Sequence, residues 1–153
     1  MKIGEKLKNI NFIIDEDKII KSNQLLGKKT IIYFYPKDDT PGCTKEAINF
    51  SSYKKKFEKL NTCIIGISKD SIEKHNKFKL KHNISLNLAS DEDISICKQF
   101  KVWVEKSMYG KKYMGIERST FIIDEKLILI KSWKKVKVNG HIEEVFEFIS
   151  NSI

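Results

Sequence analysis

Thr30-Ile31-Ile32-Tyr33-Phe34-Tyr35-Pro36-Lys37-Asp38-Asp39-Thr40-Pro41-Gly42-Cys43-Thr44 is the stretch that orders the rest of the chain. Residues 30–35 are β-branched or aromatic throughout and stop at Pro36, so they read as a buried strand. After the polar loop Lys37-Asp38-Asp39, Thr40 suits a helix N-cap and Pro41 the first helical position. Ala47, Phe50, Tyr53, Phe57 and Leu60 then recur at three- and four-residue steps, which turns one helix face toward a core. A central strand therefore runs through a short loop into a helix whose first turn carries a cysteine.

Residues 62–68 (Thr-Cys-Ile-Ile-Gly-Ile-Ser) are apolar nearly throughout and read as the next central strand. Asp70 with Glu73 forms a capping-box signature for a second helix reaching about Lys81. This βαβα order implies a parallel core with right-handed crossovers. A short helix over 93–100 leads into an irregular, aromatic-bearing stretch from Trp103 to Tyr113. Residues 117–123 and 127–133 read as an antiparallel hairpin turning at Asp124-Glu125-Lys126. A closing helix carries Ile142, Val145, Phe146 and Ile149 on one stripe. The expected class is α/β, a mixed central sheet flanked by helices in the thioredoxin-like arrangement. With no linker, repeat or Pro/Gly/Ser-rich segment, residues 1–153 are expected to form a single domain.

The 153 residues are 41% hydrophobic and 32% charged, a balance that excludes a disordered tail and a membrane protein. The longest apolar runs, such as residues 31–35 and 127–130, are far too short to cross a bilayer. Charges at Lys2, Glu5, Lys6 and Lys8 stand where a secretory signal needs an apolar run. Three cysteines, an odd count, disfavour a disulfide framework and suit a reducing compartment, so a cytoplasmic location is expected.

Of the 29 basic residues, 28 are lysine, and the formal net charge is +9. The chain also holds 24 isoleucines, 10 asparagines and only 2 alanines, a skew toward A/T-rich codons that inflates lysine without a functional demand. The lysines are dispersed, so basicity gives little support to the rival reading, a nucleic-acid-binding module on the same scaffold. No nucleic-acid or membrane partner is expected. Arg118, the single arginine, is more informative, because lysine cannot replace its bidentate, permanently charged fork.

Free N–H groups and the positive end of the helix dipole converge at the first turn and stabilise a thiolate on Cys43. Gly42 permits close backbone approach, and Thr40 offers a hydroxyl to anything bound at the sulfur. Arg118, at the start of a strand of the same sheet, can supply a guanidinium beside that sulfur and donate hydrogen bonds to an oxygen-bearing substrate. Cysteine, threonine and arginine at a helix N-terminus make a site for attack on an O–O bond, leaving a sulfenic acid.

The run Pro36-x-x-x-Thr40-x-x-Cys43, extended as Thr40-Pro41-Gly42-Cys43-Thr44, resembles the active-site motif of peroxiredoxins. It is most similar to the bacterioferritin comigratory protein or peroxiredoxin Q subfamily. Tyr33-Phe34-Tyr35-Pro36, Gly66-Ile67-Ser68, Ser90-Asp91, Phe100-Lys101-Val102-Trp103 and Arg118-Ser119-Thr120-Phe121-Ile122-Ile123-Asp124 extend the resemblance over most of the chain. It implies a thiol peroxidase that reduces hydrogen peroxide and organic hydroperoxides without a metal or cofactor, acting as a monomer. Cys43 would be the peroxidatic cysteine, Thr40 and Arg118 its activators, and Pro36 a shield over the loop.

One departure stands out. The position five after the peroxidatic cysteine, where many members carry a resolving cysteine, is Ile48; the helix over 71–82, the other usual place, holds none. Cys63 in a central strand and Cys97 on a short helix read as core. Either would need its Cα within about 7 Å of that of Cys43 to form a disulfide. A one-cysteine mechanism is expected, with thioredoxin, glutaredoxin or glutathione as external reductant.

Other residues take plainer readings. Glu46 reads as a first-turn acid, with pairing to Arg118 as the alternative. His75, His82 and His141 lack metal spacing and read as solvated or capping. Asp91-Glu92-Asp93 reads as a helix N-terminus, and Trp103 and Tyr109 as loop anchors. The absence of Cys-x-x-Cys disfavours a dithiol reductase. A peroxide-sensing module that turns over poorly is the third reading.

Overall fold

All six residues of the strand Lys29–Phe34 are buried, because it lies inside the sheet with packing on both faces. The computed structural model describes residues 1–152. In chain order the elements are β1 (Asn11–Asp15), β2 (Lys18–Lys21), a 3-10 turn (Ser22–Leu25), β3 (Lys29–Phe34), α1 (Pro41–Lys59), β4 (Thr62–Ser68), α2 (Ile72–His82) and β5 (Asn87–Ser90). α3 (Ser95–Gln99), β6 (Trp103–Met108), β7 (Lys111–Ile116), β8 (Ser119–Ile123), β9 (Leu129–Trp133) and α4 (His141–Asn151) follow.

Seven strands form one mixed sheet in the order β2-β1-β5-β4-β3-β8-β9. β3, β4 and β5 run parallel, and β8 pairs antiparallel with β3, setting Phe34 opposite Ser119. The two-residue side-chain period of β3 divides the core. Ile31 and Tyr33, with Tyr35 beyond them, face Ala47, Phe50 and Phe57 of α1, Phe78 of α2 and Val145 and Ile149 of α4. Ile32 and Phe34 face the opposite cluster, built from Phe12 and Ile14 of β1, Ile96 and Cys97 of α3, and Phe100, Val102 and Phe121. Gly66 in β4 is a packing requirement: a Cβ there would lie 2.7 Å from the Tyr33 ring and 2.8 Å from Leu88.

Three expectations need correction. Trp103–Ile116 is regular, forming the antiparallel ribbon β6–β7 apart from the main sheet. Its turn uses positive φ at Tyr109 (51°) and Gly110 (78°), a hairpin conformation marked here by only one glycine. Helix α2 is capped by Ser71, whose hydroxyl accepts from the Lys74 N–H, and not by Asp70. Asp70 instead accepts from the Asp38 N–H and the Ser68 hydroxyl. Helix α3 is shorter than expected, and Asp91 upstream receives the N–H groups of Ile96 and Cys97. The β8–β9 hairpin, by contrast, turns as expected, with Asp124 accepting from Lys126 and Ile128. No described helix is long and apolar enough to cross a membrane.

Candidate active site

The chain leaves β3 at its C-terminal end, crosses Tyr35–Thr40 and starts α1 at Pro41, so Cys43 is the third helical residue. The Thr44 N–H donates to the Thr40 carbonyl at 2.8 Å and closes the first turn. Thr40 occupies the cap position, but its hydroxyl does not cap; it donates to the Lys37 carbonyl at 3.1 Å and tightens the loop. Cys43 is 2% exposed, on the same buried stripe as Ala47, Phe50 and Phe57.

Arg118 immediately precedes β8, and the β3–β8 pairing carries it to the end of the sheet where the cysteine loop emerges. The Glu117 N–H donates to Val102 O at 2.8 Å, and the Val136 N–H donates to Arg118 O at 2.9 Å, so the backbone beside the guanidinium is fixed from both sides. Arg118 Nη2 donates to Cys43 Sγ at 3.2 Å. Its Nη1 donates to Glu46 Oε1 at 2.6 Å. Gly42 eases this approach: a Cβ there would lie 3.2 Å from Nη2, so the guanidinium would have to shift by a few tenths of an ångström.

The first-turn reading of Glu46 is wrong and the alternative holds: α1 begins at Pro41 with no acid in its first turn, and the Glu46 carboxylate, 2% exposed, is bound to Arg118. Burial pushes the Glu46 carboxyl up to about 7, and the Arg118 guanidinium only partly offsets this. For Arg118, burial opposes the charge, but Glu46 and Cys43 outweigh it and hold the guanidinium above its ordinary range. The second Glu46 oxygen has no hydrogen-bond partner among the described residues. A carboxyl raised on folding holds more proton folded than unfolded between its ordinary 4.5 and about 7. Its stabilising contribution is thus complete below that window and lost as pH rises through about 7. In urea titrations across this window, wild type is expected to lose stability relative to Glu46→Gln as pH rises; a difference independent of pH would contradict the assignment.

Two histidines depart from the solvated reading. His75 is 1% exposed: Nδ1 lies 2.6 Å from Asp38 Oδ2, and Nε2 lies 3.1 Å from the Ala89 carbonyl. His141 is also buried, with Nε2 2.8 Å from Thr120 Oγ1 and its ring edge-on to Trp133. His82 is half-buried, bound to the exposed Asp39 at 2.7 Å. A sequence signal existed for His75, which shares with Ile72 and Phe78 the three-residue step of a buried stripe. Pro36 is half-buried beside the loop. Trp103 is half-buried, with the Lys69 ammonium 5.6 Å above its ring, whereas Tyr109 is 98% exposed at the ribbon tip and anchors nothing.

The sheet separates the other two cysteines from Cys43. Cys97 is in the opposite core cluster and Cys63 packs against that cluster, while Cys43 faces α1, α2 and α4. All three thiols are free. Burial pushes both the Cys63 and Cys97 thiols up, and the neighbouring Asp91 carboxylate drives Cys97 further. No group of three or more potential metal ligands occurs among the described residues.

The AhpC/TSA family model matches residues 3–132. The peroxiredoxin Bcp of Bacillus subtilis is 44% identical over 99% of this chain and 96% of its own length. The crystal structure of a cysteine-to-serine variant of Xylella fastidiosa PrxQ superimposes with a TM-score of 0.94 at 35% identity, covering 99% of this chain and 97% of that one. The bacterioferritin comigratory protein of Xanthomonas campestris, described for its alkyl peroxide reduction activity, gives a TM-score of 0.88 at 36% identity over 94% of this chain and 91% of its own.

Proposed function

Because the chain belongs to the AhpC/TSA family, as a peroxiredoxin of the Bcp or peroxiredoxin Q type, we propose that its thiol peroxidase chemistry is carried by Cys43, with Thr40, Arg118 and Pro36 shaping the site. The observation that carries this assignment is the Arg118 N–H directed at Cys43 Sγ in the first turn of α1. Free N–H groups and the helix dipole add positive potential there.

The thiolate of Cys43 attacks the terminal oxygen of a hydroperoxide. An S–O bond forms as the O–O bond breaks, and the bonding pair leaves on the distal fragment, which takes a proton to become water or an alcohol. Sulfur is oxidised by two electrons to the sulfenic acid, and the peroxide is reduced. Arg118 and the first-turn N–H groups face the position where the leaving oxygen gains charge. Hydrogen peroxide and organic hydroperoxides both satisfy this chemistry. An open hollow lined by Thr40, Pro41, Thr44 and Ile48 beside the loop offers an alkyl group apolar contact.

Resolution is intermolecular. An external thiolate attacks the sulfenic sulfur, forming a mixed disulfide as the S–O bond breaks and the oxygen leaves as hydroxide, which takes a proton from solvent to become water; a second thiol then displaces Cys43 as its thiolate and leaves the reductant oxidised. The placement of Cys63 and Cys97 behind the sheet supports this one-cysteine route. Thioredoxin, glutaredoxin and glutathione have the required chemistry, and a reducing cytoplasm suits three free thiols. The Cys63→Ser/Cys97→Ser double variant is expected to retain more than about half of the wild-type peroxidase turnover with such a reductant. Loss of turnover with Cys43 still oxidisable would show that one of them resolves the intermediate.

A further inference from the structure

The loop that delivers Cys43 is fastened to α2 by groups that do not touch the sulfur. Asp38 lies midway along it, between Pro36 and Thr40, and is buried. Its Oδ1 accepts from the Tyr35 hydroxyl at 2.6 Å, and its Oδ2 meets His75 Nδ1 at 2.6 Å. The backbone N–H of Asp38 donates to Asp70 Oδ2 at 2.8 Å, and Asp70 also accepts from Ser68. The other ring nitrogen of His75 faces the Ala89 carbonyl of β5, an acceptor only, so Nε2 carries a proton. His75 is thus the one cationic-capable side chain bound directly to either buried loop carboxylate among the described residues. On the outer side, Lys81 and His82 of α2 hold Asp39, each at 2.7 Å.

We infer that His75 is a positioning residue: acting through Asp38, it holds the Cys43 loop in the closed form that aligns the sulfur for peroxide and bars larger thiols. The inference rests on the assignment of Cys43 as the attacking sulfur. Closure suits the first half-reaction, since a hydroperoxide is small and the Arg118–Sγ contact exists only when the first turn is formed. Closure obstructs the second. With Cys43 2% exposed, an external thiol has no in-line path to the sulfenic sulfur until that turn opens. A buried ionic hydrogen bond is strongly unfavourable to break from one side, so removing His75 shifts the balance toward the open form. The two half-reactions then respond in opposite directions, which general destabilisation does not produce.

The test uses His75→Ala, His75→Asn and His75→Gln. Oxidation of Cys43 by one equivalent of hydrogen peroxide and reduction of the preformed sulfenic acid by glutathione are timed separately by mass spectrometry. His75→Ala is expected to slow oxidation about tenfold and to accelerate reduction several-fold, a tenfold change being the effect of about 1.4 kcal/mol. The Asn amide stands where Nδ1 does and keeps a donor for Asp38, whereas the Gln amide stands nearer Nε2 and the Ala89 carbonyl. Asn is therefore expected to restore both rates more fully than Gln. If His75→Ala fails to fold, the Asn and Gln pair still decides the matter. Rates that fall together, rates that do not change, or Gln rescuing as well as Asn overturn the positioning role. Wild-type protein forming no sulfenic acid at Cys43 overturns the peroxidase assignment and this inference with it; clean wild-type oxidation with unresponsive variants overturns this inference alone.

Discussion

Cys43→Ser is expected to eliminate peroxide turnover, lowering kcat/KM by at least about a thousandfold, because a serine hydroxyl is a far weaker nucleophile than a thiolate. The substitution exchanges one small buried atom for another on the stripe with Ala47, Phe50 and Phe57, so fold and stability are expected to change little. Arg118 would still face the site and a hydroperoxide could still enter. Loss of activity in a folded protein would therefore isolate the chemistry of the sulfur. Peroxide consumption coupled to a thiol reductant, measured beside a denaturation curve, separates the two effects. Retained turnover would move the reaction to another cysteine, and Cys63 and Cys97, behind the sheet with thiols raised by burial, are poorly placed to take it.

Arg118→Lys is expected to lower kcat/KM by roughly a hundredfold or more, although it keeps the positive charge. The guanidinium performs two tasks at once, Nη1 on Glu46 at 2.6 Å and Nη2 on Cys43 at 3.2 Å. An ammonium is a point charge on a flexible stem; Glu46, the nearer partner, would capture it and leave the sulfur without a donor. Coupled Cys43 oxidation rates should fall with turnover, whereas the reductive half-reaction should be affected less. A lysine variant within a few-fold of wild type would show that charge near the sulfur suffices and that the fork is not required.

The elements legible in the sequence were those whose burial repeats locally. β3, α1 and β4 announced themselves through β-branched runs and a three-to-four-residue apolar stripe, and α4 through Ile142, Val145 and Ile149. β1 is equally regular, alternating exposed Asn11, Ile13 and Asp15 with buried Phe12 and Ile14, but at five residues with an exposed isoleucine it carries too short a pattern to stand out in the sequence. The β6–β7 ribbon was harder, since it stands off the main sheet and most of its residues are exposed, leaving no buried face to set a period.

The site divides along the same line. Cys43, Thr40 and Pro36 lie in one continuous run, and Arg118 stood out as the only arginine. What the sequence could not display is pairing across the fold. Glu46 meets a guanidinium 72 positions away, and Asp38 meets an imidazole 37 positions away. A glutamate near the start of a helix and a histidine on a lysine-rich one look solvent-facing until the sheet brings their partners together. Thr40 shows the reverse case: its position is that of a cap, but the carbonyl of Lys37 captures the hydroxyl.

The central claim is that Cys43 alone carries the redox change, and intact-protein mass spectrometry after one equivalent of hydrogen peroxide tests it most directly, with and without a sulfenic-acid trap. The account predicts a single trap adduct mapping to Cys43, with no loss of two hydrogens. A disulfide joining Cys43 to Cys63 or Cys97 would contradict the one-cysteine route, and a Cys43 left unchanged by peroxide would contradict the peroxidase site itself.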